Sequence, residues 1–187
     1  MLKEPRPGRV KTRLGRDIGM TTAAWWFRHQ SRALLRRISD PRWQTILAVS
    51  PDRAGLSSRV WPTHQARVAQ GPGDLGARMA RLFRGLPKGP VVIIGADIPG
   101  INRARIAAAF HALGNHDAIF GPAPDGGYWA VGLKRLAPVP PHLFEGVRWS
   151  SEHALADSHA TLGSARVAFV DSLQDIDSGA DLAKVTA

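Results

Sequence analysis

No cysteine occurs among the 187 residues. Disulfides and cysteine-based zinc sites are therefore excluded. Any metal must be held by oxygen or histidine ligands. No apolar run approaches the roughly 18 to 20 residues that cross a bilayer, and the amino-terminal stretch is charged, without the apolar core of a signal sequence. The expectation is a cytoplasmic protein with no membrane partner. The histidines show no His-Glu-x-x-His spacing, and no Gly-x-Ser-x-Gly elbow is present, so neither zincin nor Ser/His/Asp chemistry has support. Acidic residues are scarce, 15 against 25 lysines and arginines, for a net charge of +10. That field suits either a nucleic acid or a small phosphorylated ligand. Arginine supplies 20 of the cations and is spread along the chain. No aromatic-interleaved basic stripe accompanies it, so nucleic acid is not the expected partner.

Apolar residues make up 44% and charged residues 21%, which is ordinary globular usage and not that of a disordered chain. No repeat or linker divides the sequence, and a single domain over 1–187 is expected. Short β-like runs alternate with helical ones. Helices are expected over 21–38, with Thr21 and Thr22 as cap candidates, over 75–86, over 103–113 after Asn102 and before Gly114, over 150–162 and over 180–185. Strands are expected over 45–49, ending in the turn Ser50-Pro51-Asp52, and over 66–70, 90–95, 117–120, 128–133 and 167–170. The run Val91-Val92-Ile93-Ile94 reads as a central parallel strand buried on both faces. This alternation implies an α/β fold with a mostly parallel sheet, right-handed crossovers and ligands at the carboxyl ends of strands. Only Met1 and Leu2 stand where such a sheet places its first strand. The first strand is therefore expected to be largely missing, its true start upstream, and the fold weakened by the loss.

Four unusual segments should converge at the ligand site. The first, residues 3–14, holds five cations, one glycine and two prolines, a loop suited to a polyphosphate. Within it Arg13 can grip phosphate oxygens bidentately and Lys11 acts as a point charge. A P-loop is ruled out because Val10, not glycine, precedes Lys11; a solvated basic arm is the competing reading. The second, Gly95-Ala96-Asp97-Ile98-Pro99-Gly100, puts a carboxylate just after the buried strand. Mg²⁺ takes one or two carboxylates plus substrate phosphates, so Asp97 is the first candidate metal ligand, with turn capping as its alternative.

The third, Gly121 to Tyr128, contains Asp125, Gly126 and Gly127. Its glycines permit close backbone approach, and Tyr128 and Trp129 offer a face to a sugar or other acceptor. The same residues equally make a tight hairpin. The fourth, Gly71 to Met79, is a Gly-rich loop entering a helix. In it Gly73, Asp74 and Gly76 can contact a nucleobase or ribose, or Asp74 can be an ordinary N-cap. A late run, Asp175-Ile176-Asp177, either caps a helix or supplies Asp177 as a second metal ligand.

Together these segments resemble a bacterial family of GT-A-type proteins assigned as glycosyltransferases or radical-SAM/selenodomain-associated transferases, related to guanylyltransferases of molybdenum-cofactor and 2-phospho-lactate metabolism. The resemblance rests on Lys3-x-Pro5-x-Pro7-Gly8-x-Val10-Lys11-Thr12-Arg13-Leu14, Gly73-Asp74-Leu75-Gly76-x-Arg78-Met79, Gly95-x-Asp97-x-Pro99-Gly100 and Gly121-Pro122-x-x-Asp125-Gly126-Gly127-Tyr128. It also includes Leu143-Phe144-x-Gly146-Val147-x-Trp149-Ser150 and Asp175-Ile176-Asp177. It spans nearly the whole chain in order.

The resemblance implies a Rossmann-like GT-A fold, a three-layer α/β/α sandwich. It implies Lys11 and Arg13, with the backbone at Gly8, on the nucleotide phosphates. Mg²⁺ or Mn²⁺ would sit on Asp97 and Asp177, the 71–79 loop near the base or ribose, and Asp125 to Tyr128 on the acceptor side, with Asp125 as general base. The implied activity is glycosyl or nucleotidyl transfer from a nucleotide or nucleotide-sugar donor to a small acceptor. A non-catalytic nucleotide-binding module is the alternative, and a nucleic-acid-binding protein comes after that. The oligomeric state stays open, a homodimer included. The chain departs from the family in its missing first strand and in Ser178-Gly179-Ala180 where relatives carry Thr-Pro-Glu, which weakens a helix cap.

Overall fold

The computed structural model describes residues 1–186. The chain is of the α/β class, as expected, and forms two compact units, each drawn from separate stretches of sequence.

Among the described residues, the first unit comprises 1–69, 95–103 and 175–186. Its sheet has the order β1-β2-β3, from β1 (Leu2–Lys3), β2 (Leu47–Ser50) and β3 (Arg67–Ala69). Both ladders are parallel, with Leu2 opposite Val49 and Leu47 opposite Arg67. The strand nearest the amino terminus is thus present, but only two residues long. Between β1 and β2 lie α1 (Thr12–Ile18) and α2 (Met20–Arg37). Helix α2 buries Ala23, Ala24, Phe27, Ser31 and Leu34, the three- and four-residue spacing of one helix face. Its last turn carries Arg36 and Arg37, cations that complement the helix dipole. Thr21 and Thr22 do not cap it. Gly19 holds the N-cap position, so both threonines fall inside the first turn.

The peptide joining Ser50 to Pro51 is cis, and the turn expected there opens at once into the short α3 (Asp52–Leu56). The loop that follows is gathered by one side chain. The Arg67 guanidinium donates to the carbonyls of Gly55, Leu56 and Ser58 through one terminal nitrogen and of Trp61 and Pro62 through the other, at 2.7 to 3.4 Å. Beneath it Trp61 is buried, its indole nitrogen 3.3 Å from the Ser31 hydroxyl.

The second unit comprises residues 70–94 and 104–174. Its sheet has the order β4-β6-β5-β7, from β4 (Val91–Ile94), β5 (Ala118–Pro122), β6 (Tyr128–Leu133) and β7 (Val167–Phe169). The β5–β7 ladder is parallel, whereas β6 runs antiparallel to both β4 and β5. The expectation for residues 91–94 needs correcting. The strand is antiparallel to its partner β6, and only Ile93 of its four residues is buried. A short apolar run does not report strand direction; the buried runs of this sheet are residues 129–133 of β6 and 118–121 of β5.

Helix α4 (Leu75–Gly85) begins where expected and ends one residue earlier; α5 (Arg103–Asn115) runs through Gly114. Of the helix expected over 150–162, only α6 (Ala154–Ala160) is helical, because residues 151–153 form a turn held by the Ser151 hydroxyl. The last helix, α7 (Gly179–Thr186), belongs to the first unit.

Replacing Arg67 by methionine keeps an unbranched apolar stem and removes the guanidinium with its five acceptor contacts. Charged hydrogen bonds contribute about 1.5–3 kcal/mol each when isolated, and these share one cation. The variant is expected to lose about 2–3 kcal/mol in urea unfolding and to expose residues 56–62 to amide exchange. An Arg67→Met protein with unchanged exchange in that loop would contradict the role assigned to the fork.

Candidate functional site

The loop leaving β1 is shaped by its own backbone. The Glu4 amide donates to the Ser50 carbonyl at 2.7 Å, and turns follow at Arg6 and Arg9. Gly8 takes φ +70°, a conformation costly to any side chain. Val10 is buried and anchors the loop. Lys11 then adopts the left-handed conformation, φ 45° and ψ 48°, at the N-cap position of α1. A non-glycine residue persists there only when its surroundings hold it.

Those surroundings are acidic. The Lys11 ammonium lies 2.6 Å from Asp97, 2.6 Å from Asp177 and 3.7 Å from Asp175. Its side chain is 6% exposed, while the three carboxylates are 28–35% exposed. Arg13 reaches the other Asp177 oxygen at 3.1 Å from an exposed position. One carboxylate oxygen from each aspartate lies within 4.8 Å of the others.

Two anchors aim these carboxylates. Ile176 is buried against Leu14 and Ala23, with Ile18, Trp26 and Leu182 packed around them. Neighbours of a buried residue in extended chain point the other way, and both Asp175 and Asp177 reach Lys11. Just beyond, Ser178 and Asp181 cap α7 reciprocally. The Ser178 amide donates to the Asp181 carboxylate at 3.0 Å, and the Asp181 amide to the Ser178 hydroxyl at 3.2 Å. This is a capping box with Asp in place of Glu, so the cap survives the loss of the relatives' Thr-Pro-Glu. The second anchor holds Asp97. Ile98 and Ile101 are buried, and the Arg37 guanidinium donates to the Ile101 carbonyl at 2.6 Å.

The residues expected on the base and acceptor sides belong to the second unit. Asp74 is the N-cap of α4, accepting from the Ala77 amide at 2.8 Å. Gly73 has φ +95°. Gly76 lies against Phe144 and Trp149, where an added Cβ would come within 2.8 Å of both. Asp125 accepts from the Gly127 amide at 3.0 Å in the hairpin between β5 and β6. Gly126, at φ +81°, lies against the Glu152 backbone. Tyr128 is largely buried, its hydroxyl 3.1 Å from that of Ser158, and burial pushes its pKa above the ordinary phenol value. Trp129 cannot offer a face to an acceptor. It is 1% exposed, and its indole nitrogen donates to the Asp171 carbonyl.

The residue missed by sequence reasoning is Asp175. The signal was available: in extended backbone, carboxylates at i and i+2 share a face, and Ile176 between them needed a core.

A model of the bacterial family DUF2064, described as an uncharacterized protein conserved in bacteria, matches residues 34–151. The chain belongs to this family. Of the three aspartates around the ammonium, the matched stretch contains Asp97 alone. No curated protein matches the chain. Among solved structures, one from Desulfovibrio desulfuricans G20, named as a candidate nucleotide-diphospho-sugar transferase, is 28% identical. It covers 98% of this chain and 83% of that one with a TM-score of 0.86. A second, the homologue of Mycobacterium tuberculosis Rv0371c from Mycobacterium sp. strain JC1, is 13% identical. It covers 83% of this chain and 79% of that one with a TM-score of 0.53, and is a likeness of fold alone. This member of DUF2064 thus has the fold of a GT-A-type nucleotide-diphospho-sugar transferase, the class expected from its sequence. No helix among the described residues is long and apolar enough to cross a membrane.

Burial works against the Lys11 ammonium, but Asp97 and Asp177 outweigh it and hold its pKa above the ordinary lysine value. Burial also works against the Asp177 carboxylate, and Lys11 and Arg13 outweigh it, holding its pKa below the ordinary value. Asp177 therefore stabilises the fold fully above its unfolded pKa of about 4, and this is lost as pH falls through the lower folded value. Lys11 contributes fully below about pH 10, and this is lost as pH rises through its raised folded value. Asp177→Asn is expected to lower stability at neutral pH and to flatten the acid limb of the stability–pH curve. Urea unfolding across that limb measures both, and an acid limb of unchanged slope would contradict the assignment.

Proposed function

We propose that this protein is a metal-dependent transferase acting on a nucleotide or nucleotide-sugar donor, with Asp97, Asp177 and Asp175 as metal ligands. The observation that carries the reading is the cation already seated among those three carboxylates. They supply hard oxygen donors, the set that Mg²⁺ or Mn²⁺ prefers. One oxygen from each already lies within 4.8 Å of the others, so the three could share one ion after local adjustment of their side chains. The Lys11 ammonium stands in for the ion.

A bound divalent ion would act as a Lewis acid on donor phosphate oxygens. The chain's own groups do the rest. Lys11 and Arg13 offset negative charge developing on the leaving phosphate, Arg13 from an exposed position beside Asp177. Asp125 takes the acceptor's proton, and the backbone of Gly126, Gly127 and Tyr128 borders the acceptor. Gly8 contributes to the donor-phosphate site of the first unit; for Gly73, Asp74 and Gly76, in the second unit, the sequence resemblance alone supports a contact to base or ribose.

The name of the Desulfovibrio relative supports the transferase reading. The Lys11-Thr12-Arg13 loop speaks for nucleotidyl transfer, as in the guanylyltransferases, and the label of the family that the chain resembles speaks for glycosyl transfer; the proposal covers both. The product distinguishes the two chemistries: pyrophosphate marks nucleotidyl transfer, and a nucleoside diphosphate marks glycosyl transfer. A cytoplasmic location and a single GT-A-like domain over 1–187 complete the proposal.

Nucleotide with Mg²⁺ is expected to raise the melting temperature, because a ligand bound only by the native state stabilises it. Asp97→Asn should abolish most of that gain. A gain of full size in the variant would remove Asp97 from the site. Lys11→Met leaves three carboxylates without their cation, and a loss of about 1–3 kcal/mol is expected. Mn²⁺ should then restore more of the melting temperature in this variant than it adds to the wild type. Equal responses to Mn²⁺ would mean that the ion and the ammonium do not share these carboxylates.

A further inference from the structure

The first unit holds a second concave surface that the Lys11 cluster does not touch. It is a groove of about 710 Å³, a volume typical of small-molecule sites. Thr45 and Ala66 line it, and they stand just ahead of β2 and β3. The groove therefore opens at the amino ends of these parallel strands. Lys11, by contrast, lies on the loop leaving the carboxyl end of β1.

Three arginines stand in its lining against one carboxylate. Arg32 and Arg36 project from α2 into the groove, and Arg103 joins them from another segment. Arg32 and Arg36 are four residues apart, so they share a helix face, where like charges repel. Both are exposed, and neither makes a side-chain hydrogen bond or ion pair among the described residues. The lining has a single carboxylate, Asp40, and Arg42 takes both of its oxygens at 2.8 and 2.9 Å. The groove's acid is thus already matched. Arg36 also faces the negative end of α2 and Arg103 acts electrostatically on Asp40, which accounts for those two guanidinium groups but not for Arg32.

We propose that this groove binds a small ligand carrying two or more phosphate groups, gripped by Arg32, Arg36 and Arg103. Guanidinium forks match phosphate oxygens bidentately, and several converging on one groove select for more than one phosphate. A single-stranded nucleic acid is disfavoured. Trp43 is the one tryptophan, tyrosine or phenylalanine in the lining, whereas strand-binding grooves stack successive bases on several aromatic rings.

The test uses the whole chain, chelator-treated, titrated calorimetrically with tripolyphosphate at about 150 mM salt, where loose surface attraction is screened. Wild type should bind, Arg32→Ala/Arg36→Ala should bind at least tenfold more weakly, and Lys11→Ala should keep most of the affinity. Both arginines are exposed on a helix, so the double variant should stay folded, and its melting temperature checks this. The proposal is overturned if wild type does not bind, or if the double variant binds as wild type does. It is equally overturned if the Lys11 variant alone loses binding, or if a short oligothymidylate binds more tightly than tripolyphosphate in an arginine-dependent way. None of these outcomes bears on the metal reading, which the Asp97 variant tests separately.

Discussion

A lysine ammonium that is almost fully buried among three aspartates sets the terms for the first unit of this protein. Each partner would be unstable alone: a buried ammonium without counter-ions loses its charge, and clustered carboxylates repel. Together they draw into one place three stretches that are far apart in sequence: the loop after β1, residues 95–103 and the segment before α7. The left-handed backbone at Lys11 is part of the same arrangement. So is the burial of Ile176, which fixes the direction of the two carboxylates beside it.

On the proposed reading, the same cluster serves two purposes. Three carboxylates near neutrality attract any cation of the right size. A tethered ammonium keeps them folded together when no ion is bound. Its positive charge is also what a phosphate-bearing substrate requires. The positions that favour a stable fold and those that favour chemistry therefore coincide, which makes the lysine and the aspartates hard to replace one at a time.

Much of this was legible in the sequence. The α/β class followed from alternating apolar periods, and β6 was read at its full extent from Tyr128 to Leu133. Lys11, Arg13, Asp97 and Asp177 were singled out by residue type and position, and they lie together. What was not legible has physical reasons. The run Val91 to Ile94 could not disclose the antiparallel direction of its partner, because direction is set by a strand distant in sequence. The sequence leaves Trp129 open between a binding face and part of a tight hairpin, because aromatic character does not report burial. Its burial depends on Gly121, across the ladder, where a Cβ would meet the ring at 2.4 Å. Asp175 was passed over because its value depends on Ile176 being a core residue.

The guanidinium of Arg67 gathers its loop through main-chain carbonyls only. Such ties ignore what the loop residues are. Leu56 and Arg59, both exposed, can therefore change identity with little effect on the path of the chain, whereas one arginine outside the loop cannot. Sequence drift among relatives should accordingly concentrate at those two positions while the shape of the loop persists.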